Sequence, residues 1–100
     1  MTITQTATAP TGTAVTVEGT VRDQLVLTRR LVDRVARVGF RVNTDSGPFN
    51  VHASGLLAEL LRATLHRGDR VIVHAPGATF SHPRQTVPDL EADSVELDLR

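Results

Sequence analysis

One short helical pattern interrupts a sequence that otherwise alternates like β-structure, and this pattern constrains the fold most. Five leucines repeat at spacings that place them on one broad apolar face of a helix: Leu56, Leu57, Leu60, Leu61 and Leu65. Ser54 is the predicted N-cap, and Gly68 supplies a left-handed stop after a helix over 56–66. Such a stripe is typical of core packing. The sequence therefore predicts a mainly β domain that buries a single helix.

Alternation of apolar and polar residues before the helix predicts three strands. The first covers 13–22 and has Gly19 at an inward position, where a strand glycine indicates a bulge or a tight barrel bend. The second lies in the β-branched, arginine-rich stretch 25–44. A dense turn signal at 45–48 and renewed alternation over 49–54 predict that the second and third strands form a hairpin.

Two more strands are predicted after the helix, over 70–75 and 94–99. The residues before the first strand lack periodicity, so 1–12 is expected to be a flexible N-terminal arm and 13–100 a single domain. Three strands, one helix and two strands follow the order of an all-β, five-stranded OB-fold Greek-key barrel. In that fold the α-helix between strands 3 and 4 plugs the bottom of the barrel.

The composition excludes several classes of protein. The chain has no cysteine, which rules out disulfides, thiolate metal sites and cysteine nucleophiles. Its four histidines lack the compact spacing of zinc motifs, and Ser54 lacks the first glycine of a nucleophile elbow. We therefore expect no metal, no cofactor and no enzymatic activity. No apolar run approaches the roughly 20 residues that cross a bilayer, so we expect a cytoplasmic, nucleoid-associated protein without membrane contact.

Charge is distributed unevenly along a chain whose formal net charge is zero. Residues 1–41 contain six arginines and three acidic residues, whereas the residues from Asp89 onward contain five acidic residues and one arginine. A neutral total can therefore hide a basic face. All eleven basic residues are arginine, the side chain that binds phosphate in a bidentate manner and stacks on bases. Nucleic-acid binding and the codon bias of a GC-rich genome both explain this usage.

Five motifs, in order and at family spacing, resemble the bacterial single-stranded DNA-binding protein family. They are Val17-Glu18-Gly19-Thr20-Val21-Arg22-Asp23, Phe40-Arg41-Val42-Asn43, Ser54-Gly55-Leu56-Leu57-Ala58-Glu59, Leu65-His66-Arg67-Gly68-Asp69-Arg70-Val71-Ile72-Val73 and Ala92-Asp93-Ser94-Val95-Glu96-Leu97. The motifs run from Val17 to Leu97, and the resemblance covers roughly residues 13–99. The resemblance implies a homodimer or homotetramer that binds single strands without sequence preference in DNA replication, recombination or repair, through a basic groove and stacked aromatics.

The chain departs from the family at its stacking groups and at its end. It has no tryptophan or tyrosine, and Phe40 and Phe49 fall on the inward parity. The outward positions of the third strand hold Pro48, Asn50, His52 and Ser54. We expect the protein to lack the family's linker and acidic, phenylalanine-ended tail, which recruits replication proteins. The resemblance is therefore to a short, tail-less paralogue, similar to primosomal replication protein n.

Eight residues are the predicted nucleic-acid contacts, in two groups. The strand group is Arg34, Arg37, Arg41, Asn50 and His52, and the loop group is Phe80, His82 and Arg84. Arginines on a shared strand face can bind phosphates while flat side chains stack on bases. A solvated strand face of balanced charge and an ordinary exposed hairpin are the alternatives for these two groups.

Sequence-nonspecific single-stranded DNA binding is the leading functional hypothesis, with single-stranded RNA left open because the fold serves both. The alternative is an OB-fold protein-protein interaction module, primosome-like or regulatory, with weak or no nucleic-acid binding; zero net charge and the acidic final segment support it. A homo-oligomer is expected because an exposed first strand over 13–22 offers an edge to a second copy.

Overall fold

The computed structural model describes residues 2–4 and 14–98 as a curled sheet of nine strands around one helix. In chain order the elements are β1 (Thr2–Thr4), β2 (Val15–Val21), β3 (Val26–Arg29), β4 (Ala36–Thr44), β5 (Gly47–Ser54), α1 (Leu56–Thr64), β6 (Arg70–Ala75), β7 (Ala78–Thr79), β8 (Asp89–Glu91) and β9 (Ser94–Asp98). Most of the pairs are antiparallel, and β5 and β8 pair in parallel. The predicted all-β class with one helix is confirmed.

The sheet closes on itself because its last long strand is bent into two halves. The strand order is β1-β9-β6-β2-β4-β5-β8-β7, with β3 paired to β4. Only Ala92 and Asp93 separate β8 from β9. The Ala92 N–H donates to the His52 carbonyl at 2.8 Å, and the Asp93 N–H donates to the His74 carbonyl at 2.7 Å. The five predicted strands thus correspond to β2, β4, β5, β6 and β9, and β8 lies outside the predicted set.

The placement of Arg34 on the second strand was wrong, because a tight hairpin separates β3 from β4. Arg34 has a left-handed φ of 60° and its N–H donates to the Arg30 carbonyl at 2.8 Å. The Asp33 carboxylate closes the same turn by accepting from the Val35 N–H at 3.1 Å and from the Arg30 guanidinium. Aspartate can supply such a turn without glycine or proline, so no turn was predicted within 30–35 and Arg34 was assigned to the second strand.

The helix fills the barrel from one side, as predicted, although its ends differ from the expected ones. It is preceded by Gly55 at a φ of 68° and has no side-chain cap, so the prediction of Ser54 as N-cap was wrong. Ser54 instead ends β5, where its hydroxyl accepts from Arg37 at 3.3 Å. Leu57 is buried, while the adjacent Leu56 is exposed. One face of α1 therefore joins the core and the other meets solvent.

The inward positions predicted for the strands are confirmed. Phe40 is buried, and Phe49 packs against the core while partly buried. Gly19 lies where β2 meets β4, and a Cβ at this position would stand 2.1 Å from the Asn43 carbonyl oxygen. Two backbones approach each other too closely there for any side chain. The glycine in the predicted bend therefore has a steric explanation.

Part of the predicted N-terminal arm falls on residues that the structure describes. Thr2–Thr4 pair with 94–96 of β9, so these three residues form a strand that the sequence pattern did not indicate. The rest of the arm, residues 1 and 5–12, lies outside the described residues, as do 13, 99 and 100. In the described part, no helix is both long and apolar enough to cross a membrane.

Candidate nucleic-acid interface

Three cross-strand rows bring four of the predicted contact residues to one face of the sheet. The rows are Thr28, Arg37 and Ser54; Val26, Gly39, His52 and Glu91; and Arg41, Asn50 and Asp89. This surface of β3, β4, β5 and β8 is termed the groove face. Facing residues of paired strands point to the same side, so the predicted shared face of Arg37, Arg41, Asn50 and His52 is present. Their role in binding stays a prediction.

A chain of hydrogen bonds runs along the row that begins at Arg41. The Arg41 Nε donates to the Asn50 Oδ1 at 3.3 Å, and the Asn50 Nδ2 donates to the Asp89 Oδ1 at 3.2 Å. The His52 Nε2 lies 4.0 Å from the same Asp89 oxygen. These contacts fix the orientation of the Asn50 amide. They also place a carboxylate beside the groove cations.

Several neighbours hold Asp89 in its charged form. Hydrogen bonding by the Gln85 side chain lowers the pKa of Asp89 most, and further bonds from Ser81 and Asn50 lower it too, against the opposing effect of burial. The nearby His52 adds a smaller lowering of this pKa. The Ser81 Oγ donates to the second carboxylate oxygen at 2.8 Å. Asp89 therefore joins the loop before β8 to the groove face as an anion.

Acid should destabilise the wild-type protein more than the Asp89→Asn variant. The folded pKa of Asp89 is depressed, so its stabilisation is present above the ordinary aspartate pKa of about 3.9. It is lost as the pH falls through the lower folded pKa, because the unfolded chain takes up the proton first. Urea unfolding of both proteins at pH 6 and pH 3 measures the difference. An equal loss of stability in the two proteins would contradict it.

Acidic residues of β8 were missed as members of this face. Glu91 forms an ion pair with Arg37, and Asp89 lies in the Arg41 row. The strand over 89–91 was not predicted, because three residues are too few to display a period of two. These residues were interpreted only as the start of an acidic segment. The acidic final segment itself was the available signal. The groove face consequently carries both signs of charge.

The loop group lies on a segment that is attached to the groove face. Phe80, His82 and Arg84 are exposed in the segment between β7 and β8. The segment is attached to the groove by the Ser81 contact with Asp89 and by the Asn50 N–H, which donates to the Pro88 carbonyl at 2.9 Å. These contacts join the loop that carries the group to the Asn50 row. Arg34, at the hairpin tip, lies outside the three rows.

Solved structures with this architecture place the chain in a known fold. The second single-stranded DNA-binding protein from Mycobacterium smegmatis matches with a TM-score of 0.77 and 27% identity over 88% of each chain. The SSB domain of a Synechococcus protein matches at 0.74 and 14% identity, over 85% of this chain and 94% of that one. The chain has the OB fold of bacterial single-stranded DNA-binding proteins. It matches no protein-family model, and no curated protein is significantly similar in sequence.

A third structure of this kind is the small single-stranded DNA-binding protein from Streptomyces coelicolor. It has a TM-score of 0.65 and 19% identity, over 86% of this chain and 92% of that one. The resemblance inferred from the motifs is confirmed. These structures are all named as single-stranded DNA-binding proteins or domains, in agreement with the prediction of a non-enzymatic protein.

Within this OB fold, the cations differ in how far they are already neutralised. Over residues 14–98, the guanidiniums with no carboxylate within 4.0 Å are those of Arg22, Arg34, Arg41, Arg62, Arg67 and Arg84. By contrast, Arg37 is paired with Glu91 and Arg70 with Glu18. Unpaired guanidiniums are the ones that can exchange counterions for phosphates. Three of the predicted contacts, Arg34, Arg41 and Arg84, belong to this unpaired set.

A cleft of about 290 Å³ opens on the groove face of the OB fold. Its lining includes Gln24, Val26, Gly39, Asn50 and His52. The predicted contacts did not include Gln24, Val26 and Gly39. An isolated glutamine, valine or glycine carries no chemical signal for binding in a sequence. Among the described residues, no cluster of three or more His, Asp or Glu side chains could hold a metal ion.

Proposed function

We propose that this protein binds single-stranded DNA without sequence preference, through the groove face and the loop that carries Phe80. The proposal rests on two neighbouring cross-strand rows, which place Arg41, Asn50 and His52 on the same outward face of the sheet. In OB folds the face of the second and third strands, here β4 and β5, binds oligonucleotides. The Mycobacterium smegmatis protein of the same fold is named as a single-stranded DNA-binding protein.

The mechanism combines phosphate neutralisation with limited stacking and needs no cofactor. Unpaired arginines such as Arg41 and Arg84 bind backbone phosphates and release counterions, which makes affinity fall with salt. His52 and the exposed Phe80 offer flat surfaces to bases. Because the chain has few aromatic side chains, we expect weaker binding than a groove lined with tryptophan provides. Single-stranded RNA is a second ligand of the same chemistry.

The proposed role of the protein is in DNA replication, recombination or repair, as a homodimer or homotetramer. Its proposed location is the cytoplasm, at the nucleoid. Support for self-association comes from β2. Among the described residues, 15–17 of β2 pair only with β6, because β4 pairs with Gly19 and the two residues after it. A half-paired strand offers its free backbone groups to another copy. Replication proteins are further candidate partners.

Salt-dependent binding of oligo-dT tests the proposal. In fluorescence anisotropy, wild type should bind a labelled 30-nucleotide dT strand saturably and more tightly than a duplex. Replacing both Arg41 and Arg84 by glutamine should reduce the slope of log affinity against log salt by about 1.4, since each lost phosphate contact removes about 0.7.

Arg70→Gln is the matched control, because Arg70 lies on β6 in an ion pair with Glu18. Its slope should equal that of wild type. The proposal fails if micromolar protein shows no saturable binding of the single strand at low salt.

A protein-protein interaction module is the second candidate function, and the hairpin tip favours it. Leu31 is 95% exposed and Val32 is 97% exposed between β3 and β4. Two adjacent aliphatic side chains at an exposed tip suit a contact with an apolar surface of a replication protein. Such an interface would respond little to salt, so the same titration separates it from DNA binding.

A further inference from the structure

We propose that the cleft around Gly39 is a slot for one nucleobase, walled by Val26 on one side and His52 on the other. The inference rests on the proposed single-stranded DNA binding and adds the place where a base, rather than a phosphate, is held. The three residues form one cross-strand row, with Val26 opposite Gly39 and Gly39 opposite His52. The ligand class is a neutral, flat aromatic ring.

The absence of a side chain at Gly39 makes the slot. A Cβ built there would lie 3.2 Å from the His52 Nδ1 and 3.4 Å from its Cε1. The imidazole therefore stands close beside the bare strand, and both Gly39 and His52 line the open cleft. Across the strand Val26 is 64% exposed, so its side chain is accessible to a ligand. In this row Val26 forms an aliphatic wall, Gly39 forms the floor, and the His52 ring forms the second wall.

The charges around the slot favour a base over a phosphate. On one side Arg37 is neutralised by Glu91, and on the other the anionic Asp89 shares the row of Arg41. A phosphate placed between these rows would meet carboxylates as well as guanidiniums. An uncharged base avoids this repulsion and gains contact with the valine and the imidazole.

The rim of the cleft supplies hydrogen-bonding groups that tolerate any base. Gln24 and Asn50 line it, and a side-chain amide offers both donors and an acceptor to a base edge. The Asn50 amide is already engaged by Arg41 and Asp89, so Gln24 is the more available of the two. One base held in this way agrees with binding that does not depend on sequence, because every base has a face that can stack.

Filling the slot tests the inference. Gly39→Val places a β-branched side chain where the base would enter, and such residues suit strands. Since the atoms it meets belong to the movable His52 ring, the barrel is expected to stay folded, which thermal unfolding verifies. The probes are an eight-nucleotide dT strand and an abasic deoxyribose-phosphate strand of equal length. Wild type should prefer dT, and the variant should lose about tenfold in affinity for dT alone.

A second variant removes the aliphatic wall without filling the slot. Val26→Ser should weaken dT binding severalfold and leave the abasic strand unaffected. Leu56→Ser is its matched control, because Leu56 is also an exposed aliphatic residue but lies on α1, away from the groove face. This control should bind both strands as wild type does.

The outcomes separate the slot from the wider proposal. Wild-type binding of dT with no loss in Gly39→Val overturns the slot and leaves single-stranded DNA binding standing. Equal losses on dT and on the abasic strand also overturn it, since a phosphate contact would then be affected. Failure of wild type to bind either strand overturns the proposed function, and the slot with it.

Discussion

The Leu57→Ala variant is expected to unfold with a free energy about 3 kcal/mol lower than wild type. Leu57 is only 1% exposed and lies on the face of α1 that packs under β4 and β5. Truncation removes apolar contacts and leaves a cavity that the closed barrel cannot collapse around. Domains of this size have total stabilities of roughly 5 to 15 kcal/mol, so this single change removes a large fraction.

Leu56→Ala is the matched control for that experiment, because Leu56 is the preceding residue of the same helix and is 70% exposed. Helix propensity changes in the same way in both variants, whereas burial does not. The control should stay within about 0.5 kcal/mol of wild type in urea unfolding. If the two variants lose equal stability, α1 is not the plug of the barrel.

Phe80→Ala is expected to weaken binding of oligo-dT by about tenfold, within the roughly 1 to 3 kcal/mol that a stacked aromatic contributes per base. Phe80 is 58% exposed, and the following residue, Ser81, is hydrogen bonded to Asp89 of the groove face. Phe80 therefore directly precedes the residue that joins this loop to the row of Arg41, Asn50 and Asp89. Its truncation should cost little stability, because the ring is not part of the core.

The salt dependence distinguishes this loss from the loss of a cation. Phe80→Ala should leave the slope of log affinity against log salt unchanged, whereas Arg84→Ala, four residues along the same loop, should reduce it by about 0.7. Anisotropy titrations at three salt concentrations give both quantities. Unaltered affinity of Phe80→Ala would show that the loop takes no part in binding.

The local periodicity of the sequence predicted much of the architecture. The alternation over 49–54 predicted both the buried Val51 and the outward-facing, partly buried Asn50 and His52, and the leucine spacing predicted the helix that plugs the barrel. These predictions hold because a strand has a side-chain period of two and a helix one of 3.6, whatever lies around them. Gly19 could likewise be interpreted from its position in an alternating strand.

Other features depended on elements that are distant in the chain. Arg34 was misplaced because an aspartate turn needs no glycine, and β8 was missed because three residues show no period. The pairing of β5 with β8 then decided the charge of the groove face, since it brings Asp89 and Glu91 beside Arg41 and Arg37.

The sequence by itself determined the fold class, the inward and outward sides of the long strands, and the residue types available to bind a single strand. Each of these follows from neighbours within a few positions. Only the tertiary structure decided which arginines remain unpaired and where Val26, Gly39 and His52 meet. Ion pairs and clefts depend on contacts between strands far apart in sequence, and barrel closure alone sets those contacts.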